Sequence, residues 1–117
     1  MQGNFENATM DLDRAIAIDA KYKDALYRKA LSELSSNNTD RAIELLDQVI
    51  AIDGKYKLAY NALGQALEMK GDHKRAIAAY DRALQIDAKW SLALTNKMHA
   101  LMATGRQKEA VDILLRI

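Results

Sequence analysis

The sequence predicts an all-α solenoid of about three and a half stacked helix pairs, and three observations carry that expectation. A ten-residue string recurs with a fixed period: AIDAKYKDAL at residues 17–26, AIDGKYKLAY at 51–60 and QIDAKWSLAL at 85–94, each 34 residues after the last. Within every period, apolar residues return at three- and four-residue spacing, the pattern of amphipathic helices. Proline is absent from all 117 residues, while Ala, Leu, Lys, Arg, Glu and Asp are abundant, which is helix-forming composition. Units of this kind cannot bury their apolar stripes alone and are stable only when stacked into one continuous domain.

Taking Lys23, Lys57 and Ser91 as first positions, position 20 of the unit is Ala8, Ala42, Ala76 and Ala110, and position 24 is Leu12, Leu46, Tyr80 and Leu114. Position 30 is Ile18, Ile52 and Ile86, position 31 is Asp19, Asp53 and Asp87, and position 34 is Tyr22, Tyr56 and Trp90. Residues 1–22 therefore supply a second helix without its first partner, preceded by a turn at Gly3-Asn4. Residues 23–56 form the first full pair, turning at Asn37-Asn38, where asparagine replaces glycine because it tolerates positive φ. Residues 57–90 form the second pair, LAYNALGQALEMK and HKRAIAAYDRALQI. Between those helices Gly71 can end the first in the left-handed conformation and Asp72 can cap the next. Residues 91–117 form a truncated third pair that turns at Gly105-Arg106. The IDAK and IDGK stretches at 18–21, 52–55 and 86–89 are expected to break the chain between pairs. The constant alanine of position 20, with Ala30 and Gly64 at position 8, reads as a packing device, since helices approach closely only across small side chains.

This register resembles the tetratricopeptide repeat family, and the middle unit carries its pattern in Tyr60, Leu63, Gly64, Leu67, Gly71, Ala76, Tyr80, Ala83 and Leu84. The resemblance covers essentially the whole chain and implies a right-handed superhelix of antiparallel helix pairs. Departures occur. Ala20, Gly54 and Ala88 stand where the family places proline, Lys29, Glu33 and Lys97 where it places leucine-like residues, and Met98 where it places a small one.

Chemistry is not expected. Seventeen Lys and Arg against sixteen Asp and Glu leave a formal charge of +1, with no basic face for nucleic acid or an anionic membrane surface. The absence of cysteine excludes disulfides, thiolate catalysis and cysteine-ligated metals. His73 and His99 lack metal-ligand spacing, and His73, beside a turn, is expected to be solvated. Asp11 and Asp13 are two apart, so on a helix they point in different directions. No catalytic residue, cofactor or metal ligand is assigned. With no signal-like stretch and no apolar run approaching about 20 residues, neither secretion nor membrane insertion is expected, and the default location is cytoplasmic.

The resemblance further implies that the first helices line a concave groove that takes peptides or helices of other proteins. Carried over by unit position, the groove residues are Asp24, Tyr27, Arg28, Leu31, Leu34 and Ser35, then Leu58, Asn61, Ala62, Gln65, Glu68 and Met69, then Leu92, Thr95, Asn96, His99, Met102 and Ala103. Asn61, Gln65, Asn96 and His99 can bond a peptide backbone, Tyr27 and Arg28 are interface-dominating residue types, and Met69 and Met102 adapt to varied apolar partners. The carboxylate clamp that holds acidic C-termini of heat-shock chaperones is absent, because Tyr27, Leu31, Ala62, Leu92 and Asn96 occupy its positions. The expected function is thus a non-catalytic scaffold that binds a protein or peptide segment. Two alternatives accompany it: self-assembly into a homo-oligomer through Val111, Leu114 and Leu115 of the apolar last helix, and a regulatory segment of a larger enzyme.

Overall fold

The computed structural model describes residues 12–116, with side chains from Lys21 to Leu115. Six helices follow one another among them: α1 (Leu12–Ser35), α2 (Thr39–Ile52), α3 (Lys57–Met69), α4 (His73–Ile86), α5 (Ser91–Ala103) and α6 (Gln107–Arg116). No strand occurs among the described residues. The expected Gly3-Asn4 turn and the start of the half-unit lie outside them.

The turns within pairs share one geometry. Asn37, Gly71 and Gly105 adopt φ of 63°, 86° and 79°. The following residue then donates back to a carbonyl five earlier: Asn38 N to Glu33 O, Asp72 N to Leu67 O and Arg106 N to Leu101 O, each 2.8 Å. This is the left-handed helix ending that glycine favours and asparagine tolerates. Asp72 caps α4 by accepting from the Arg75 N–H at 3.2 Å.

The junctions between pairs are closed by lysine. Lys23 Nζ reaches Asp53 Oδ2 at 2.9 Å and Lys57 Nζ reaches Asp87 Oδ2 at 2.6 Å. The same two ammonium groups lie over aromatic rings at the end of each junction, Lys23 5.1 Å from the Tyr56 centroid and Lys57 4.7 Å from that of Trp90. First position, position 31 and position 34 of the repeat thus form one cation-centred clasp. The lysine hydrogen bonds hold the carboxyls of Asp53 and Asp87 below the usual aspartate range, helped by the backbone N–H groups of Lys55 and Lys89. A depressed carboxylate stabilises the fold above its unfolded pKa, and that contribution is lost as pH falls from about 4 through the lower folded value. Lowering the pH from 6 to about 3 is therefore expected to reduce the urea midpoint modestly, because both clasps are partly solvated. The Lys23→Met, Lys57→Met double variant should lose less on the same acidification; an equal loss would place the acid sensitivity elsewhere.

One expected break is missing. IDGK at 52–55 and IDAK at 86–89 interrupt the chain, yet residues 18–21 lie inside the continuous helix α1. The clasp explains the difference. Asp53 and Asp87 are each held by a lysine 30 residues earlier, and no residue of this sequence stands 30 positions before Asp19. Ala20, replacing the family's proline, leaves helix propagation unopposed.

The pairs stack in order, α1 against α2, α2 against α3, and so on to α6. First helices also touch across pairs, α1 with α3 and α3 with α5, whereas no two second helices do. The first helices are therefore the inner layer of the curve. The core is built between pairs: Leu26, Ala30, Leu45, Leu46, Val49, Ala59 and Ala62 form one cluster, and Leu67, Ala76, Ile77, Tyr80, Leu94 and Leu101 head the next. The departures from the family pattern are absorbed locally. Lys97 Nζ pairs with Asp81 Oδ1 at 2.6 Å, Glu33 Oε1 accepts from Asn38 Nδ2 at 2.8 Å, and Met98 packs half-buried against the second cluster.

Candidate protein-binding groove

The inner layer presents first-helix residues in three steps. On α1, Asp24, Arg28, Leu31 and Ser35 are exposed, and Tyr27 is half-buried. The Tyr27 ring meets Tyr56 edge to face, centroids 5.4 Å apart, and burial raises its hydroxyl pKa. The Tyr56 hydroxyl donates to Asp24 Oδ1 at 3.2 Å. Burial and that bond push the Tyr56 pKa up to about 12. Asp24 and Tyr27 are thus already tied into the first junction.

On α3, Asn61 is only 5% exposed, the one polar residue in the buried set. Gln65 is half-buried, and Leu58 and Met69 are exposed. On α5, Thr95 and Asn96 are half-buried, and Leu92, His99, Met102 and Ala103 are exposed. Asn96 Nδ2 donates to Asn61 Oδ1 at 2.9 Å, linking the two first helices. Asn61 and Asn96 are 35 residues apart, one repeat plus one, which places positions 5 and 6 of successive units side by side. The sequence offered both residues as separate contacts; their bond to each other is a product of stacking.

Three residues assigned to the groove are used by the fold instead. Ala62 is buried in the first core cluster and Leu34 packs against it. Glu68 accepts a hydrogen bond from the Tyr80 hydroxyl. That bond comes second to burial among the reasons the Tyr80 pKa is raised. His73 also differs from expectation. It is partly covered rather than solvated, its Nδ1 is buried without a hydrogen-bond partner, and Glu68 Oε1 lies 3.9 Å away. The turn that brings α4 back over α3 covers it. On the last helix, Val111, Leu114 and Leu115 are exposed.

Among the described residues no group of three His, Cys, Asp or Glu could hold a metal ion, and no helix is long and apolar enough to cross a membrane. The model of the tetratricopeptide repeat matches residues 2–57 and 27–91. The chain belongs to the tetratricopeptide repeat family. No curated protein matches the sequence. Among solved structures, the chain is similar to MamA at 26% identity and a TM-score of 0.79, over 90% of this chain and 61% of that one. It therefore spans well under two thirds of the MamA chain. It is also similar to the second tetratricopeptide domain of Spaghetti (RPAP3), solved bound to the HSP90 peptide SRMEEVD, at 20% identity and a TM-score of 0.78, over 81% and 88% of the two chains. The Yersinia enterocolitica secretion chaperone SycD, solved with a peptide of the translocator YopD, matches at 20% identity and a TM-score of 0.77, over 80% and 71%. At 20% identity the last two likenesses concern the fold. The solenoid read from the 34-residue period is confirmed, and protein interaction is the general role of the family.

Proposed function

We propose that this chain holds an extended or helical segment of a partner protein, without covalent chemistry, in the groove lined by α1, α3 and α5, and so serves as an assembly scaffold. The observation that carries this reading is the Asn61–Asn96 bond. It fixes two amides on adjacent helices and leaves one N–H₂ group and one carbonyl oxygen without a partner among the described residues. Such a pair can receive one peptide unit through both its C=O and its N–H, which binds a backbone without dictating side chains. Around it Leu58, Met69, Leu92 and Met102 are exposed apolar residues of the same helices, suited to anchor the ligand's side chains. The solved complexes of Spaghetti and SycD with peptides lend the reading support at the level of the fold.

The test uses a displayed library of random peptides selected on the wild-type chain. Selected peptides should shift the side-chain amide resonances of Asn61 and Asn96. The Asn61→Ala, Asn96→Ala variant should bind them about 10- to 100-fold more weakly, as the loss of one or two hydrogen bonds predicts, with its circular dichroism unchanged. Peptides whose affinity survives the double substitution would place the binding surface elsewhere.

A further inference from the structure

The continuous course of α1 leaves one repeat interface without its second half. Positions 3, 7 and 10 of each first helix face the second helix of the preceding pair. On α3 these are Ala59, Leu63 and Ala66, and on α5 they are Ala93, Lys97 and Ala100. Ala59 and Leu63 pack in one cluster with Leu46 and Val49 of α2, and Ala93 packs with Ala83 of α4. On α1 the same positions are Ala25, Lys29 and Ser32, and all three are exposed. The segment whose sequence matches the missing helix is present, as residues up to Asp19. Within α1, however, it runs straight on from Lys23 instead of folding back.

Charge identifies what this face is built to meet. Lys97 pairs with Asp81, 16 residues before it, at positions 7 and 25 of the repeat. The residue 16 before Lys29 is Asp13. The middle unit has Leu63 with Asp47 at those positions, and there desolvation raises the Asp47 pKa, opposed by Arg75. Lysine therefore stands at position 7 in the two units where the sequence would otherwise leave an aspartate beneath an apolar side chain. The last helix could not substitute for residues 12–18 on this face, because its position 25 is Leu115. Within one copy of α1, Asp13 and Lys29 are separated by about 24 Å of helix, so they cannot pair.

We propose that two copies of this chain exchange N-terminal helical segments, residues 12–18 of each lying along Ala25, Lys29 and Ser32 of the other, about a two-fold axis near Ala20–Lys21. The repeat sets that axis. Asp81 with Lys97 and Ala83 with Ala93 are centred on residues 88–89, which correspond to 20–21 one period of 68 residues earlier. The interface is isologous and reuses the packing of α2 on α3 and of α4 on α5, which is the low-cost route to dimers when a hinge between identical elements opens. The occupant of the bare face is thus a second copy.

Light scattering behind size exclusion, over a wide range of concentrations of the full chain, is expected to give a dimer. Ala20→Pro restores a helix breaker at the hinge. The equivalent Gly54 follows Asp53, whose extended backbone (φ −142°, ψ 98°) suits the residue before a proline, so this variant should close into a monomer of unchanged helicity. Lys29→Glu should weaken the dimer roughly tenfold for each of the two pairs, and adding Asp13→Lys should restore it. A second measurement does not depend on Ala20→Pro folding. The chain has no cysteine, so Ala15→Cys with Ala25→Cys introduces a single pair at the positions of Ala83 and Ala93. In α1 these are about 15 Å apart, beyond disulfide reach, and oxidation should link two chains. A wild-type monomer, a disulfide within one chain, or a dimer dissolved by Leu115→Asp but not by Ala20→Pro would each overturn the proposal.

Discussion

Gly64→Ala is expected to destabilise the protein by about 2 kcal/mol, although the same change in an exposed helix interior stabilises by up to about 1 kcal/mol. A Cβ at Gly64 would stand 2.3 Å from Cε1 of Tyr80 and 2.7 Å from its Cδ1 and Cζ. The ring has nowhere to go: Tyr80 is wholly buried and its hydroxyl is bonded to Glu68. Overpacking of this kind costs roughly 1–3 kcal/mol or more, enough to reverse the gain in helix propensity. The repeat supplies the control. Positions 8 and 24 are Ala30 with Leu46 in the first pair and Gly64 with Tyr80 in the second, so the larger side chain is matched by the smaller. Tyr80→Leu alone should destabilise by leaving a cavity and an unbonded Glu68. Added to Gly64→Ala it recreates the Ala30–Leu46 pairing, and the double variant should be more stable than the sum of the two losses by at least about 1 kcal/mol. Urea unfolding of the four proteins measures the coupling. Additive losses would mean that the ring relaxes away from the new methyl.

The same residues mark how far the fold can be read without coordinates. The 34-residue period, the left-handed turns at Asn37, Gly71 and Gly105, and the cap at Asp72 are local properties, decided by backbone sterics and one or two side chains, and they were legible. Helix α1 was not. The string IDAK at 18–21 matches IDGK at 52–55 and IDAK at 86–89, but the turn depends on a lysine from the preceding pair, Lys23 for Asp53 and Lys57 for Asp87. A pattern that repeats in sequence becomes a turn only where its non-local partner is also present. The groove shows the same division. Repeat position alone separates inward from outward residues, so Leu58, Asn61, Met69, Leu92, Asn96 and Met102 could be named in advance. That Asn61 and Asn96 bond each other, that Glu68 is taken by Tyr80 and that His73 is partly covered all depend on how neighbouring helices are offset. No single helix carries that information.

Leu101→Ala tests whether this protein unfolds as one unit. Leu101 is wholly buried, in the cluster that joins Leu67, Ile77 and Tyr80 of the middle pair to Ala110 and Ile113 of the last. Its truncation should cost about 3 kcal/mol, within the range for a buried leucine that leaves a cavity. The consequence is expected to be uneven. In a stacked array each pair is stabilised mainly by its neighbours, and among the described residues α5 and α6 have a neighbouring pair on one side only. Weakening that single interface should let α5 and α6 open while α1 to α4 remain folded by the clasp at Lys57–Asp87 and the core around Tyr80. Hydrogen exchange resolved by residue is the measurement. Amides of α5 and α6 should lose protection by a factor of about 100 or more, the equivalent of about 3 kcal/mol, with α2 and α3 changed far less. Uniform loss across all six helices would instead mean that the pairs are coupled too tightly for one interface to fail alone, and the chain would then unfold cooperatively like an ordinary globular domain.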